Sequence, residues 1–295
     1  MVLTSVIALS ALGLVAAALL ALASKVFAVP EDPRVEKICE TLPGANCGGC
    51  GYAGCEGYAV AVVNDESVSP NLCVVGGPQC AAAIGELTGK LTAEMEPLRV
   101  YRRCDKNHGK VLRRFDYQGI STCAAVAALH RGADQCTYSC LGFGDCVKVC
   151  SFDGIYLADG VAKVNSKVCT GCGSCVKACP RGVLELIPQR AKVAISCSTQ
   201  DPGKAVMDVC SVGCIHCSKC VKLCPAKAIT MEDSKISIDH MACLNYEGEC
   251  DQACAKGCPR GIIHRRHVLQ PIAEVSTVEV PATEAPAQEN SQPAA

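Results

Sequence analysis

CTGCGSCVKACP, from Cys169 to Pro180, reads C-x2-C-x2-C-x3-C-P, and the run returns at Cys214, Cys217, Cys220, Cys224 and Pro225. Bacterial two-cluster ferredoxins hold 4Fe–4S cubanes with this spacing. Three thiolates wrap one cluster, and the fourth, ahead of the proline, reaches the neighbouring one. A structural zinc site also uses C-x2-C, but it takes its ligands as two pairs and has no use for a third step and a displaced fourth cysteine. Two such runs in one chain make electron transfer the leading expectation.

The runs lie inside an internal repeat over residues 120–264. At an offset of 74, Cys123 maps to Cys197, Cys136 to Cys210, Cys140 to Cys214, Cys146 to Cys220, Cys150 to Cys224 and Cys169 to Cys243. The apolar pairs Ile155/Ile229 and Val164/Ile238 follow the same shift. After Cys243 the second copy is spaced differently, through Cys250, Cys254, Cys258 and Pro259. Each copy reads as a ferredoxin-like two-cluster module of short strands, cluster loops and short helices, one over 136–190 and one over 191–266.

Crossed ligation groups Cys214, Cys217 and Cys220 with Cys258, and Cys243, Cys250 and Cys254 with Cys224. In the first copy Phe143 stands where the repeat calls for a partner of Cys217. Cys169, Cys172 and Cys175 with Cys150 still complete one cluster. Cys140, Cys146 and Cys179 need a fourth ligand from Cys136 or Cys123. The grouping of Cys104, Cys123, Cys136, Cys197 and Cys210 stays open.

Residues 30–90 read as a small helical 4Fe–4S domain. Pro30, Asp32 and Pro33 open a helix carrying Val35, Ile38 and Leu42; Glu56–Asn64 and Ala81–Leu87 read as two more, the last stopped near Gly89. Cys47, Cys50, Cys55 and Cys73 form its own ligand run, set among Gly48, Gly49, Gly51 and Gly54, which let the backbone close around a cubane. Gly49, Gly51 and Gly54 also match G-x-G-x-x-G, without the preceding strand that a nucleotide site needs. Cys39 and Cys80 are read as thiols that pack outside the ligand set. Of 26 cysteines, 24 remain, enough for about six four-ligand clusters.

The 295 residues suggest two or three domains, yet they contain no Trp and only 4% aromatics, a poor stock of large apolar anchors. Clusters would fill that gap, because metal binding and folding are coupled in small metal-rich domains. A secreted disulfide scaffold could also carry this much cysteine, but thiols in metal-type runs point to a reducing compartment. The formal net charge of -1 counts every Cys as neutral, so loaded clusters would make the protein clearly acidic. Residues 91–135 read as a basic connecting region. Between Arg99 and Arg114, the cations Arg99, Arg102, Arg103, Lys106, Lys110, Arg113 and Arg114 stand against one acid, Asp105, as either a solvated face or a docking patch for an acidic electron carrier. Little aromatic residue is interleaved, which disfavours nucleic acid.

Residues 2–24 carry no charge and are long enough to span a bilayer, so 1–29 reads as a transmembrane anchor. Ala21-Leu22-Ala23 resembles a signal-peptidase site, but no Lys or Arg precedes the apolar run. Lys25, Arg34 and Lys37 follow it, which places the Cys-rich body in the cytoplasm. Residues 267–295, rich in Pro, Ala, Glu, Thr and Gln from Pro271 onward, read as a disordered tail. The fold class is therefore α+β: an N-terminal transmembrane helix, a small helical 4Fe–4S domain, tandem ferredoxin-like modules and a tail.

LPGANCGGCGYAGCEGYA (Leu42 to Ala59) behind one anchor, CTYSCLGFGDCVKVCSFDGI (Cys136 to Ile155) and VCSVGCIHCSKCVKLC (Val209 to Cys224) together resemble the long, cluster-rich members of the Rnf B-subunit family. The resemblance reaches about residue 264. It implies a cytoplasmic cluster relay at the inner membrane, part of a translocase that couples ferredoxin and NAD redox chemistry to Na+ or H+ transport. Ferredoxin and the other membrane subunits would be its partners, with flavins, NAD site and ion path elsewhere. His216, between Cys214 and Cys217, departs from the pattern and reads as a tuner of cluster potential or a surface residue. Two alternatives are a membrane-anchored polyferredoxin serving another redox enzyme and an iron–sulfur partner related to corrinoid proteins. A corrinoid enzyme would need a large α/β segment, and the six His pair with no nucleophile. Clusters that serve only to fold the chain fit poorly with so many, since one suffices per module.

Overall fold

Apolar sequence without a breaker extends a helix, and in the computed structural model α1 runs Val2–Val26, about 37 Å long. The structure describes residues 2–26, 32–107 and 109–266; Pro30, His108 and the tail from residue 267 lie outside them. Leu12, Leu14 and Leu20 on α1 are exposed, and among the described side chains of the helix none is buried within the chain. By length and composition it can cross a membrane.

α2 (Pro33–Thr41) starts where Asp32 accepts the N–H of Arg34 at 2.8 Å and Pro33 fills the first turn. Its buried Val35 and Ile38, with Leu42, pack on Tyr58 and Val62 of α3 (Cys55–Asn64) and Ile84 of α4 (Gly77–Thr88). Gly89 closes α4 in the left-handed region, φ 71°. Lys90 then donates to the carbonyls of Val62, Asp65 and Val68 at 2.7, 2.6 and 2.9 Å, fastening the end of α3.

The next segment runs β1 (Leu98–Arg102), α5 (Cys123–Ala128), α6 (Asp145–Lys148), β2 (Ile155–Ala158), β3 (Val161–Val164), α7 (Ser174–Ala178) and β4 (Leu184–Pro188). It is followed by β5 (Val193–Ile195), α8 (Gly203–Val209), α9 (Lys219–Leu223), β6 (Ile229–Glu232), β7 (Lys235–Ile238), α10 (His240–Leu244), α11 (Ala253–Lys256) and β8 (Ile263–Arg265). Each half holds one antiparallel hairpin and one antiparallel ladder: β2–β3 with β1–β4, then β6–β7 with β5–β8. The hairpins turn on Asp159-Gly160 and Asp233-Ser234, all at positive φ, as two-residue loops between twisted strands require. The offset of 74 carries α6, β2 and β3 onto α9, β6 and β7.

Residues 91–135 are not a bare connector. Their β1 pairs with β4 from Leu98↔Pro188 to Arg102↔Leu184, because Val100 joins the apolar core of the first half. Further on, Cys104 bridges to Cys197 and Val111 to Cys210. The N–H of Asp105 donates to Ser196 and that of Leu112 to Val209, so this stretch sews the two halves together.

Candidate metal centres

The cysteine loops share a backbone device. In those ending at Cys146, Cys175 and Cys220, the residues four and two places earlier are left-handed: Gly142 and Gly144, Gly171 and Gly173, His216 and Ser218. Alternating the sign of φ turns successive N–H groups into one concavity suited to an anionic group. The His216 N–H accordingly points at Cys214 Sγ, 3.5 Å away. In the loop ending at Cys254 only the second position, Gln252, is left-handed.

These loops gather the thiols in fours. Cys47, Cys50, Cys55 and Cys73 line one small cavity, with Cys172 at its edge, and Cys73 accepts the Gly76 N–H at 3.4 Å. Cys123, Cys140, Cys146 and Cys179 line a second. Cys104, Cys136, Cys197 and Cys210 line a third. Cys214, Cys217, Cys220 and Cys258 line a fourth. Cys175 lies among Cys150, Cys169 and Cys172, and Cys254 among Cys224, Cys243 and Cys250. Cys123, rather than Cys136, thus stands beside Cys140, Cys146 and Cys179.

Four cysteines line each of these cavities, the all-thiolate donor set that a 4Fe–4S cluster takes. Burial pushes Cys136, Cys146 and Cys175 up to about 12, and Cys104, Cys214 and Cys254 up to about 11, so alone they are neutral thiols at pH 7. A cationic iron core compensates buried thiolates and takes the place of their protons. Main-chain N–H groups of Tyr138, Val212 and His216 oppose the upward shift at Cys136, Cys210 and Cys214, and such bonds to sulfur tune cluster potentials.

Two sequence readings change. The cations from Arg99 to Arg114 do not share one face. Arg103 is 6% exposed, pairs with Glu185 at 3.4 Å and donates to the carbonyls of Ile236 and Cys197. Lys106 reaches buried Asp134 and the Cys140 carbonyl. Composition reports charge, not direction, and these two side chains turn inward to backbone carbonyls and carboxylates. His216 is partly buried rather than freely exposed, with Nε2 3.1 Å from the Thr199 carbonyl. Cys80, for its part, is buried beside Cys73, with Sγ 3.7 Å from the Thr41 carbonyl.

Sequence reading passes over Arg181 and Arg260. Each follows a Cys-Pro pair, in C-P-R-G at Cys179 and at Cys258, and that repeated tetrapeptide is the available signal. Arg181 donates to the carbonyls of Thr137 and Arg131, and Arg260 to those of Cys210 and Gly213.

Three segments match known families: residues 42–75 the family described as "Putative Fe-S cluster", 162–185 the 4Fe-4S binding domain, and 213–262 the 4Fe-4S dicluster domain. The chain is 43% identical to the B subunit of the proton-translocating ferredoxin:NAD(+) oxidoreductase complex of Clostridium ljungdahlii, over 87% of this chain and 90% of that one. It is 39% identical to the B subunit of the ion-translocating oxidoreductase complex of Methanosarcina acetivorans, over 89% and 97%. The chain belongs to the Rnf B-subunit family. An Na(+)-translocating relative from Acetobacterium woodii, 38% identical over 86% of this chain and 76% of that one, falls in the same group. As a member of the Rnf B-subunit family, the chain is an iron–sulfur electron-transfer component of an ion-translocating oxidoreductase.

Proposed function

We propose that this protein relays electrons between ferredoxin and the other subunits of an Rnf-type complex that couples ferredoxin/NAD chemistry to Na+ or H+ transport. About six 4Fe–4S clusters, on the 24 cysteines grouped above, form the relay. Residues 136–190 and 191–266 act as ferredoxin-like two-cluster modules, and α1 is a single-pass anchor in the inner membrane with the Cys-rich body on the cytoplasmic side.

The observation that carries this reading is the continuity of the thiol sets. Ser174, in the loop of Cys172 and Cys175, donates to the Cys47 carbonyl at 3.0 Å. The Cys140 N–H donates to Cys104 Sγ at 3.5 Å, and the Cys214 N–H to Cys197 Sγ at 3.3 Å. Every set is therefore joined to another through one ligand loop or one half of the repeat, as a relay requires and independent structural clusters do not.

Bound clusters supply the one-electron chemistry. The chain would hold them on cysteines that are mostly buried or partly buried, with main-chain N–H groups directed at several of the sulfurs. The cations left exposed in the basic stretch, Arg113 and Arg114, suit an acidic carrier such as ferredoxin by electrostatic steering.

A reductive titration of the anaerobically purified full chain with reduced ferredoxin tests the reading. Uptake of several electrons per chain is the expected result. Intact clusters that accept electrons from a stronger chemical donor but none from ferredoxin would remove ferredoxin as the direct partner.

A further inference from the structure

The third cavity has no counterpart in the family matches. Cys104, Cys136, Cys197 and Cys210 all lie outside residues 42–75, 162–185 and 213–262, and no two of them share a short ligand spacing. They come from four separate places: after β1, after α5, after β5 and at the end of α8. Cys136 belongs to the first half of the repeat and Cys197 and Cys210 to the second, while Cys104 comes from the segment ahead of it, and the bridge Cys104↔Cys197 joins that segment to the second half.

We propose that these four cysteines hold one 4Fe–4S cluster shared by both halves, positioned by Arg181 and Arg260, so that the short path between the two modules runs through it. The proposal rests on the relay reading and names the link on which that reading depends.

Each thiol has a main-chain donor beside it. Cys104 faces the N–H of Cys140, Cys136 that of Tyr138, Cys197 that of Cys214 and Cys210 that of Val212. Two of these donors, Cys140 and Cys214, are themselves in the flanking thiol sets, so this cavity touches one set from each half. A pair of disulfides would use the same four thiols, but it would leave those N–H groups aimed at weak acceptors and the cavity without a purpose. N–H groups converging on thiolate sulfurs are what a cluster uses.

The two arginines repeat the symmetry of the site. Arg181 leaves the C-P-R-G loop of the first half and donates to the carbonyl of Thr137, next to Cys136. Arg260 leaves the equivalent loop of the second half and donates to the carbonyl of Cys210 at 2.9 Å. Each loop thereby ties the last ligand of its own set, Cys179 or Cys258, to the backbone of a shared ligand or of its neighbour, while the arginine itself lines the cavity of that flanking set, Arg181 the second and Arg260 the fourth.

Native mass spectrometry of the full chain, purified without oxygen, counts clusters and other metals directly. Wild type is expected to carry about six Fe4S4 units, as against about five for Cys136→Ala/Cys210→Ala. One unit fewer in wild type, zinc in wild type, or an undiminished count in the double variant would each overturn the proposal. The wild-type count decides even if the double variant does not fold. For the positioning role, Arg260→Gln is expected to keep the full cluster count but shift the reduction potential of one cluster in an EPR-monitored titration, and Arg260→Lys to recover part of that shift. An unchanged titration would remove the arginine from the proposal. Failure of the relay reading looks different: the full cluster count, but clusters that reduced ferredoxin cannot load.

Discussion

Ser174 gives its hydroxyl to the main-chain carbonyl of Cys47 at 3.0 Å, binding the loop of Cys172 and Cys175 to the loop of Cys47 and Cys50. Lys177, one helical turn later, reaches the carbonyls of Gly48 and Gly49 at 3.5 and 3.4 Å. The helical unit is therefore seated on the first half through the very loops that carry its thiols. At the centre of this seam Gly49 lies so close that a Cβ would meet the Cys172 carbonyl at 2.6 Å.

Gly49→Ala is expected to open that seam at a cost of about 1–3 kcal/mol, the usual range for overpacking. Cluster content should stay at the wild-type level while electron equilibration between the helical unit and the rest slows, as read by freeze-quench EPR after rapid reduction. An equilibration rate equal to that of wild type would show that the seam is not on the electron path.

The helices around Ile38, Tyr58 and Ile84 are legible in sequence because caps, apolar spacing and Gly89 are all local signals. The short strands of the modules are legible only through the repeat that carries Ile155 and Val164 onto Ile229 and Ile238; their pairing as hairpins comes from the structure. The meeting of Cys104 and Cys197 is not legible. They stand 93 residues apart, and only the pairing of the segment after β1 with the segment after β5 brings them together. The fate of Arg103 and Lys106 is hidden likewise: both lie in a run of cations, and their partners Glu185, Ile236 and Asp134 belong to other elements.

Asp134 is 3% exposed and accepts from both Lys106 and Ser139, the latter at 2.6 Å. Asp134→Ala would leave the Lys106 ammonium buried without its counter-charge. A loss of about 3–5 kcal/mol is expected, read as an earlier thermal loss of cluster absorbance. Replacing both partners, Lys106→Met with Asp134→Leu, should recover most of that loss. A double variant as unstable as Asp134→Ala would mean that the pair does more than neutralise itself.

His216 occupies with φ 53° the place that Gly142 and Gly171 fill in the equivalent loops. His216→Gly relieves a left-handed side chain but removes the bond to the Thr199 carbonyl, two effects of about 1 kcal/mol each and opposite sign. The expected net change in the cluster-loss midpoint is small. His216→Val keeps the strain and adds β-branching, so it should destabilise clearly. Equal midpoints for the two variants would show that backbone conformation does not govern this loop.

Burial holds the imidazole of His240 below its ordinary range, with Arg266 and Arg103 acting in the same direction and Asp239 against it. The folded chain then binds fewer protons at this group than the unfolded chain does. Its contribution to stability is fully present above about pH 6.5 and declines as the pH falls below that value. Thermal midpoints of wild type and His240→Gln between about pH 7.5 and 5.5 check this: the variant should show the shallower fall on the acid side. Parallel profiles would mean that His240 stays in one protonation state throughout.

The shared cavity sets a timetable for biosynthesis. A ribosome releases the chain from its N-terminus, so the thiol set closed by Cys73 is complete first, followed by those closed by Cys175 and Cys179. Cys104 and Cys136 have by then been exposed for many residues, waiting for Cys197 and Cys210 to emerge. A nascent chain halted between Cys179 and Cys197 would display two thiols with no partners and an unpaired Cys104 segment. The interval over which this set stays incomplete therefore falls in the middle of the chain, between Cys136 and Cys197, not at either end.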